Sequence, residues 1–125
     1  MATIKSYSDL EQSKKLAKIL PLESADMFYN EEPEDETYPK DIVDTEYPMV
    51  LIERHKHILE EYGIPCWSLA ALLSVLPKIH GGKPVIALDD NYITYPHMNN
   101  LYTKAESLVD ACVAMIEKLN ELEML

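Results

Sequence analysis

The stretch PCWSLAALLSVLP, from Pro65 to Pro77, has almost no polar side to present to water. Its leucines recur at spacings of three and four residues, the periodicity of one helical face, and the alanines between them make the other faces apolar too. Such a stretch is far shorter than the roughly 20 residues that a membrane-spanning helix needs. We therefore expect a helix over residues 68–76, between the two prolines, that is central to the fold and enclosed by the rest of the chain or by a partner.

Three further helices are predicted around this central helix. Two of them begin with a capping-box pattern, in which a serine or threonine and a glutamate three residues later satisfy each other's backbone N–H groups. Prolines and a glycine mark most of the remaining helix ends, and the last helix carries the strongest apolar stripe in the chain. The predicted bounds are Ser8 to Pro21, Pro48 to about Tyr62 with Gly63 closing the helix, and Thr103 to about Leu125.

A β-hairpin is predicted between the central helix and the last helix. Gly81-Gly82 indicates a turn, and residues 85–88 and 92–95 are two short β-type runs on either side of an acidic turn. Because two strands alone are marginally stable, we expect a third strand from residues 27–29. The predicted fold is a single α+β domain over residues 1–125, with four helices and a small antiparallel hairpin or three-stranded sheet.

The charge of the chain is strongly negative. Eleven Lys and Arg residues stand against 22 Asp and Glu, a formal charge of -11, which argues against direct binding to a nucleic-acid backbone. Much of this charge lies in residues 31–46, where prolines and like charges predict an exposed acidic loop. This loop favours a basic protein as partner. Its densest acidic patch consists of Glu31, Glu32, Glu34, Asp35 and Glu36.

Cysteine and histidine usage gives no pattern of a metal or cofactor site. Cys66 and Cys112 lie in apolar helical contexts, so we expect free, buried thiols. The fixed spacings of zinc ligands are missing, and so are the glycine motifs that hold phosphates. We expect no bound metal and no cofactor. Without a signal-peptide pattern or a long apolar run, a cytoplasmic location is the simplest interpretation.

Tyrosine is the preferred aromatic residue, with eight Tyr against one Phe and one Trp. A tyrosine ring packs while its hydroxyl stays in water, a habit shared by protein interfaces and by half-exposed strands. We therefore expect a binding face on the hairpin. Both faces of the run at residues 85–88 are apolar, which also makes a homodimer an expectation to test. The candidate binding residues are Trp67, Tyr92, Tyr95 and His97.

Three stretches, at residues 13–27, 65–77 and 110–119, span the early, central and late parts of the chain. They resemble a set of short uncharacterised proteins of gut bacteria, their phages and mobile elements. The likeness covers most of the chain outside the acidic loop. It implies an accessory role in a phage-derived or mobile-element context, and it implies no catalytic residue.

Three functions remain open at this point. The leading expectation is a non-catalytic accessory or protein-interaction module. The first alternative is an acidic mimic of nucleic acid, whose serial carboxylates imitate phosphates and occupy the basic groove of a DNA-binding protein. The second alternative is a small-molecule binder or enzyme with a pocket near Cys66 and Trp67, since the dipole of a helix N-terminus acidifies a nearby thiol.

Overall fold

The computed structural model of the chain describes residues 5–30, 48–51 and 63–125. These residues form three α-helices and two three-stranded antiparallel sheets, which confirms the predicted α+β class. The predicted acidic loop at residues 31–46 lies outside the described residues, which stop at Asn30 and resume at Pro48. Residues 52–62, most of the predicted second helix, lie outside them too.

The chain divides into two compact units, and the prediction of one domain over the whole chain stays a prediction. The first unit comprises Asp9–Ser68, and the second comprises Met1–Ser8 together with Leu69–Leu125. The first unit contains α1 (Leu10–Leu16), β1 (Met27–Asn30), β2 (Met49–Val50) and β3 (Gly63–Cys66). The second unit contains α2 (Leu69–Val75), β4 (Val85–Ala87), β5 (Tyr92–Thr94), β6 (Tyr102–Lys104) and α3 (Leu108–Glu121).

Helix α1 begins with a capping box that lies one residue later than predicted. The Asp9 carboxylate accepts a hydrogen bond from the Gln12 backbone N–H at 2.8 Å, and the Gln12 side-chain oxygen accepts one from the Asp9 N–H at 3.1 Å. Aspartate and glutamine satisfy the same pair of backbone groups as serine and glutamate do. The helix ends at Leu16, before Pro21, and a turn and the short 3-10 helix Leu22–Ser24 follow it.

The first sheet has the strand order β2-β1-β3, with both pairs antiparallel. Phe28 in the middle strand is fully buried and lies opposite Pro65 in β3. Pro65 thus precedes the predicted helix, as expected, but it lies in a strand. Among the strands of the described residues, β3 pairs only with β1, and a proline on such an edge strand is tolerated where its missing N–H would face away from the sheet.

The start of the predicted second helix is wrong. Met49 and Val50 pair with β1, and the Leu51 N–H donates to the Asp26 carbonyl at 3.0 Å. Gly63, predicted to close that helix, is the first residue of β3, and the predicted helix end before it lies outside the described residues. Proline suits the first position of a strand as well as that of a helix, so Pro48 alone did not distinguish the two.

Helix α2 confirms the prediction of a helix at residues 68–76 to within one residue at each end. It packs against α3 through one side, where Leu72 is fully buried and Leu76, just beyond the helix, is nearly so. Ala70 and Ser74 are exposed. The chain itself therefore does not enclose every face of this helix, because small side chains tolerate water on its other side, and enclosure of that side by a partner stays a prediction. Its central place in the whole fold stays a prediction.

The second sheet has the strand order β4-β5-β6 and confirms the predicted hairpin. Its third strand is Tyr102–Lys104, however, and the segment predicted for that place, residues 27–29, belongs to the first sheet. The predicted turn at Gly81 and Gly82 is confirmed. Ile79 and Gly82 exchange two backbone hydrogen bonds of 2.9 Å. His80 and Gly81 between them both have positive φ, as the tightest hairpin turns require.

Helix α3 begins at Leu108, four residues later than the capping-box pattern at residues 103–106 predicts. Ser107 is the N-cap, and its hydroxyl accepts a hydrogen bond from the Asp110 N–H at 3.0 Å. The Asp110 carboxylate also forms an ion pair of 2.7 Å with Lys5. The predicted apolar stripe is confirmed from Leu108 to Leu119, whereas Leu122, just past the end of the helix, is exposed. Its buried members are Leu108, Val109, Ala111, Cys112, Val113, Met115, Ile116 and Leu119.

Candidate functional site

The second sheet uses one of its faces to pack on α3. Ile93 in the middle strand is fully buried and lies directly opposite Ile86 on one side and Thr103 on the other. Directly opposed residues of antiparallel strands share a face. The Thr103 hydroxyl donates to the Ala111 carbonyl of α3 at 2.8 Å, so this shared face is the inner one.

The alternate positions of the three strands point away from α3, because successive side chains of a strand lie on opposite faces. Val85 has an exposed fraction of 53% and Tyr102 of 49%, both high for large apolar or aromatic side chains. Leu88, which directly follows β4, is 71% exposed. We call the following six residues the outer face: Val85, Ala87, Tyr92, Thr94, Tyr102 and Lys104.

Two tyrosine rings form the middle of the outer face. Tyr92 lies opposite Lys104 and Tyr102 lies opposite Thr94, so the two tyrosines are diagonal neighbours on adjacent strands. Their ring centroids are 5.7 Å apart and the ring planes are inclined by 33°. Such pairs of aromatic rings are stabilising beyond the area that they bury. The two rings therefore form an apolar platform on the outer face.

A lysine from α3 completes this platform. The Lys118 ammonium lies 5.7 Å from the centroid of the Tyr102 ring and 3.4 Å from the Tyr102 carbonyl oxygen. Both distances are within the range in which a cation is attracted to a ring face or to a carbonyl dipole. The side chain thus reaches from the helix past the edge strand β6, and it brings positive charge to the rim of the outer face.

Trp67, the first candidate binding residue, belongs to the first unit and is fully buried. Its indole N–H donates to the Ser24 hydroxyl at 2.9 Å, and that hydroxyl donates to the Pro21 carbonyl at 2.6 Å. The next residue, Ser68, bonds through both its backbone N–H and its hydroxyl to the Asp26 carboxylate. These contacts give Trp67 a place in the core of its unit.

Tyr95 and His97 belong to the second unit but not to its outer face. Tyr95 is fully buried on the inner side, and its hydroxyl donates to the Pro77 carbonyl at 2.7 Å. His97 lies edge-on to the Tyr95 ring and bonds through Nε2 to the Ile79 carbonyl. A Cβ atom on Gly82 would overlap the His97 ring, so the glycine leaves room for it. Of the four candidates, the structure therefore places only Tyr92 on the outer face.

The sequence-based choice of residues missed the partners of Tyr92. Strict alternation along β5 assigns Thr94 to the face of Tyr92 and Tyr95 to the opposite face, and this rule was available from the sequence alone. The sequence could not predict that Tyr102, Lys104 and Lys118 belong to this site. Their positions depend on the third strand and on the way α3 packs beneath it.

The two cysteines are free thiols, and both are buried. Cys66 lies in strand β3 and has no exposed surface, and the second alternative function stays a prediction. Burial raises the pKa of the Cys112 thiol from 9.0 to about 12 and that of the Tyr95 phenol from 10.0 to about 12. Both groups therefore stay protonated near neutral pH. Within the ranges that the structure describes, no group of His, Cys, Asp and Glu is arranged to hold a metal ion.

We expect these buried protons to make folding sensitive to alkali. Between pH 9.0 and about 12 the folded chain keeps the Cys112 proton that the unfolded chain releases, so this stabilisation is complete below pH 9.0 and declines as the pH rises through that window. Urea unfolding at stepped pH should show a falling midpoint. In Cys112→Ala the urea midpoint should decrease less with pH. In Val113→Ala, which changes a buried neighbour without a titrating group, the midpoint should decrease as it does in the unmodified chain. Equal slopes in both variants would contradict the assignment.

The acidic patch at Glu31, Glu32, Glu34, Asp35 and Glu36 lies outside the described residues, and its role stays a prediction. Among the helices of the described ranges, none has the length and apolar character to cross a bilayer. Comparison of the chain with protein-family models, with curated proteins and with solved structures finds no match.

Proposed function

We propose that the chain is a non-catalytic protein-interaction module, in an accessory role, that binds a partner protein through the outer face of the second sheet. The observation that carries this proposal is the exposure of large side chains on that face, above all Val85 and Tyr102 at about half of their full area. Exposed apolar patches next to polar rims are typical of protein interfaces.

The composition of the outer face supports the same function. Tyrosine is enriched at interfaces because its rigid ring buries a large area with little loss of side-chain entropy, while its hydroxyl remains satisfied by water or by a partner. The Tyr92–Tyr102 pair is already held in place before any partner arrives. Preorganised side chains lose less entropy on binding, so they contribute more to affinity.

Site-directed photocrosslinking tests the proposal. A benzophenone amino acid at position 102 in the full-length chain should give a discrete adduct with one protein in an extract of the organism that encodes it. Asn99 is exposed in the same unit but lies in the turn before β6, so the same probe there is the matched control. No adduct at position 102, or the same adducts at both positions, would overturn the proposal.

A further inference from the structure

The outer face differs in charge from the rest of the chain. The sequence has twice as many acidic as basic residues, yet none of the six outer-face residues is acidic and one of them, Lys104, is basic. Lys118 adds a second ammonium group above Tyr102. The nearest acidic residues along the chain lie outside the strands: Asp89 and Asp90 between β4 and β5, Glu106 after β6, and Glu117 next to Lys118 on α3.

Neither lysine has an acidic partner in the part of the chain that the structure describes. The single ion pair found there joins Lys5 to Asp110, and the polar contact of Lys118 is the neutral carbonyl of Tyr102. A lysine that lies over an aromatic ring next to an apolar platform presents its charge to whatever covers that platform. The two ammonium groups therefore favour a partner segment that carries carboxylates; we call the segment that covers the outer face its occupant.

The backbone of β6 indicates the conformation of that occupant. Among the strands of the described residues, β6 lies at an edge, with β5 as its one neighbour. Hydrogen bonds from the Tyr95 N–H to the Leu101 carbonyl and from the Ala105 N–H to the Asn91 carbonyl make Leu101 and Ala105 the residues that bond toward β5. In an antiparallel ladder the alternate residues, Tyr102 and Lys104, then direct their N–H and C=O groups away from β5. An extended segment is the natural complement of such an edge.

We propose, on the basis of the proposed function, that the partner supplies an extended, carboxylate-bearing peptide segment. This segment adds alongside β6, lays apolar side chains against the Tyr92 and Tyr102 rings, and places carboxylates near the ammonium groups of Lys104 and Lys118. Main-chain hydrogen bonds supply part of the affinity, and the lysines select for charge.

Titration of the isotope-labelled full-length chain with short synthetic peptides tests this inference by NMR. The probes are a peptide of alternating Glu and Val, its twin with Gln in place of Glu, and a twin with Lys. The acidic peptide should shift the amide signals of residues 102–104, with an affinity that falls as salt is added. The double variant Lys104→Gln/Lys118→Gln should bind it about three- to tenfold more weakly, as expected for two exposed charge contacts. Lys14→Gln/Lys78→Gln, which changes the net charge equally at exposed positions elsewhere, should bind it normally.

The outcomes separate this inference from the proposed function. Equal binding of the Glu and Gln peptides at residues 102–104 would overturn the charge selection, while the outer face would still be a docking surface. Binding of the Lys peptide, without binding of the Glu and Gln peptides, would also overturn the charge selection. If the signals of the outer face change with protein concentration while light scattering shows a doubled mass, a second copy occupies the face and the acidic segment is excluded. If no peptide shifts these signals, the inference fails, and the crosslinking experiment alone decides the proposed function.

Discussion

Replacing Trp67 with alanine is expected to lower the free energy of unfolding by about 3–5 kcal/mol, the range for removing a large aromatic side chain from a core. Trp67 is the largest of the fully buried side chains in the described residues, so its loss leaves a cavity in the first unit. The replacement also removes the donor that bonds to the Ser24 hydroxyl. Because Trp67 is the chain's one tryptophan, unfolding is best followed by far-ultraviolet circular dichroism.

Two further variants separate the packing of Trp67 from its hydrogen bond. Ser24→Ala removes the acceptor of the indole N–H and is expected to cost about 1–3 kcal/mol. The adjacent Glu23 is exposed, and Glu23→Ala is expected to change stability by less than about 0.5 kcal/mol. A loss below about 1 kcal/mol for Trp67→Ala would contradict the burial of this residue and would favour a pocket near Cys66 as a site.

The second large effect is expected for Ile93→Asp, which places a carboxylate on the inner face of the second sheet. Ile93 is fully buried between Ile86 and Thr103, and an isolated charge there has no partner and no water. We expect a loss of roughly 3–5 kcal/mol, comparable to the cost of leaving a buried charge uncompensated. Chemical unfolding followed by circular dichroism measures it, since α3 packs against the same face.

Val85→Asp is the matched control for Ile93→Asp. Val85 lies on β4 of the same sheet but on the outer face, where about half of its surface is exposed. The same change is therefore expected to cost about 1 kcal/mol or less, mostly from the poor strand propensity of aspartate. If the two variants lost equal stability, the assignment of inner and outer faces would be wrong, and with it the docking surface built from Tyr92 and Tyr102.

The capping predictions show how far local patterns reach. Residues 103–106 have the composition of a capping box, with Thr103 as its N-cap. Ser107 is a second possible N-cap, and it lies next to the first buried residues of the apolar stripe. Burial of Leu108 and Val109 against the sheet decided between them. The displaced Thr103 is then free to join β6 and to bond to α3 through its hydroxyl.

The candidate binding residues show the same limit in another form. Tyr92 and Tyr95 are three positions apart in sequence and equivalent in composition, yet one lies on the outer face and the other is buried with its hydroxyl on the Pro77 carbonyl. Alternation along the strand places them on opposite faces, but only the packing of α3 shows which of these faces is the outer one. Lys118 contacts the Tyr102 ring although it belongs to α3, on the other side of the sheet, and no pattern near residue 102 indicates this contact.

The sequence by itself determined the features that depend on neighbouring residues. These are the α+β class, the helix between Ser68 and Pro77, the hairpin with its flanking turns, and the apolar stripe of α3. Tertiary structure alone decided that Pro65 lies in an edge strand, that β6 completes the second sheet, and that a lysine covers Tyr102. The physical reason is that capping, turns and helical periodicity act over a few residues. Strand pairing and cation–ring contacts join residues far apart in the chain, and no local pattern specifies them.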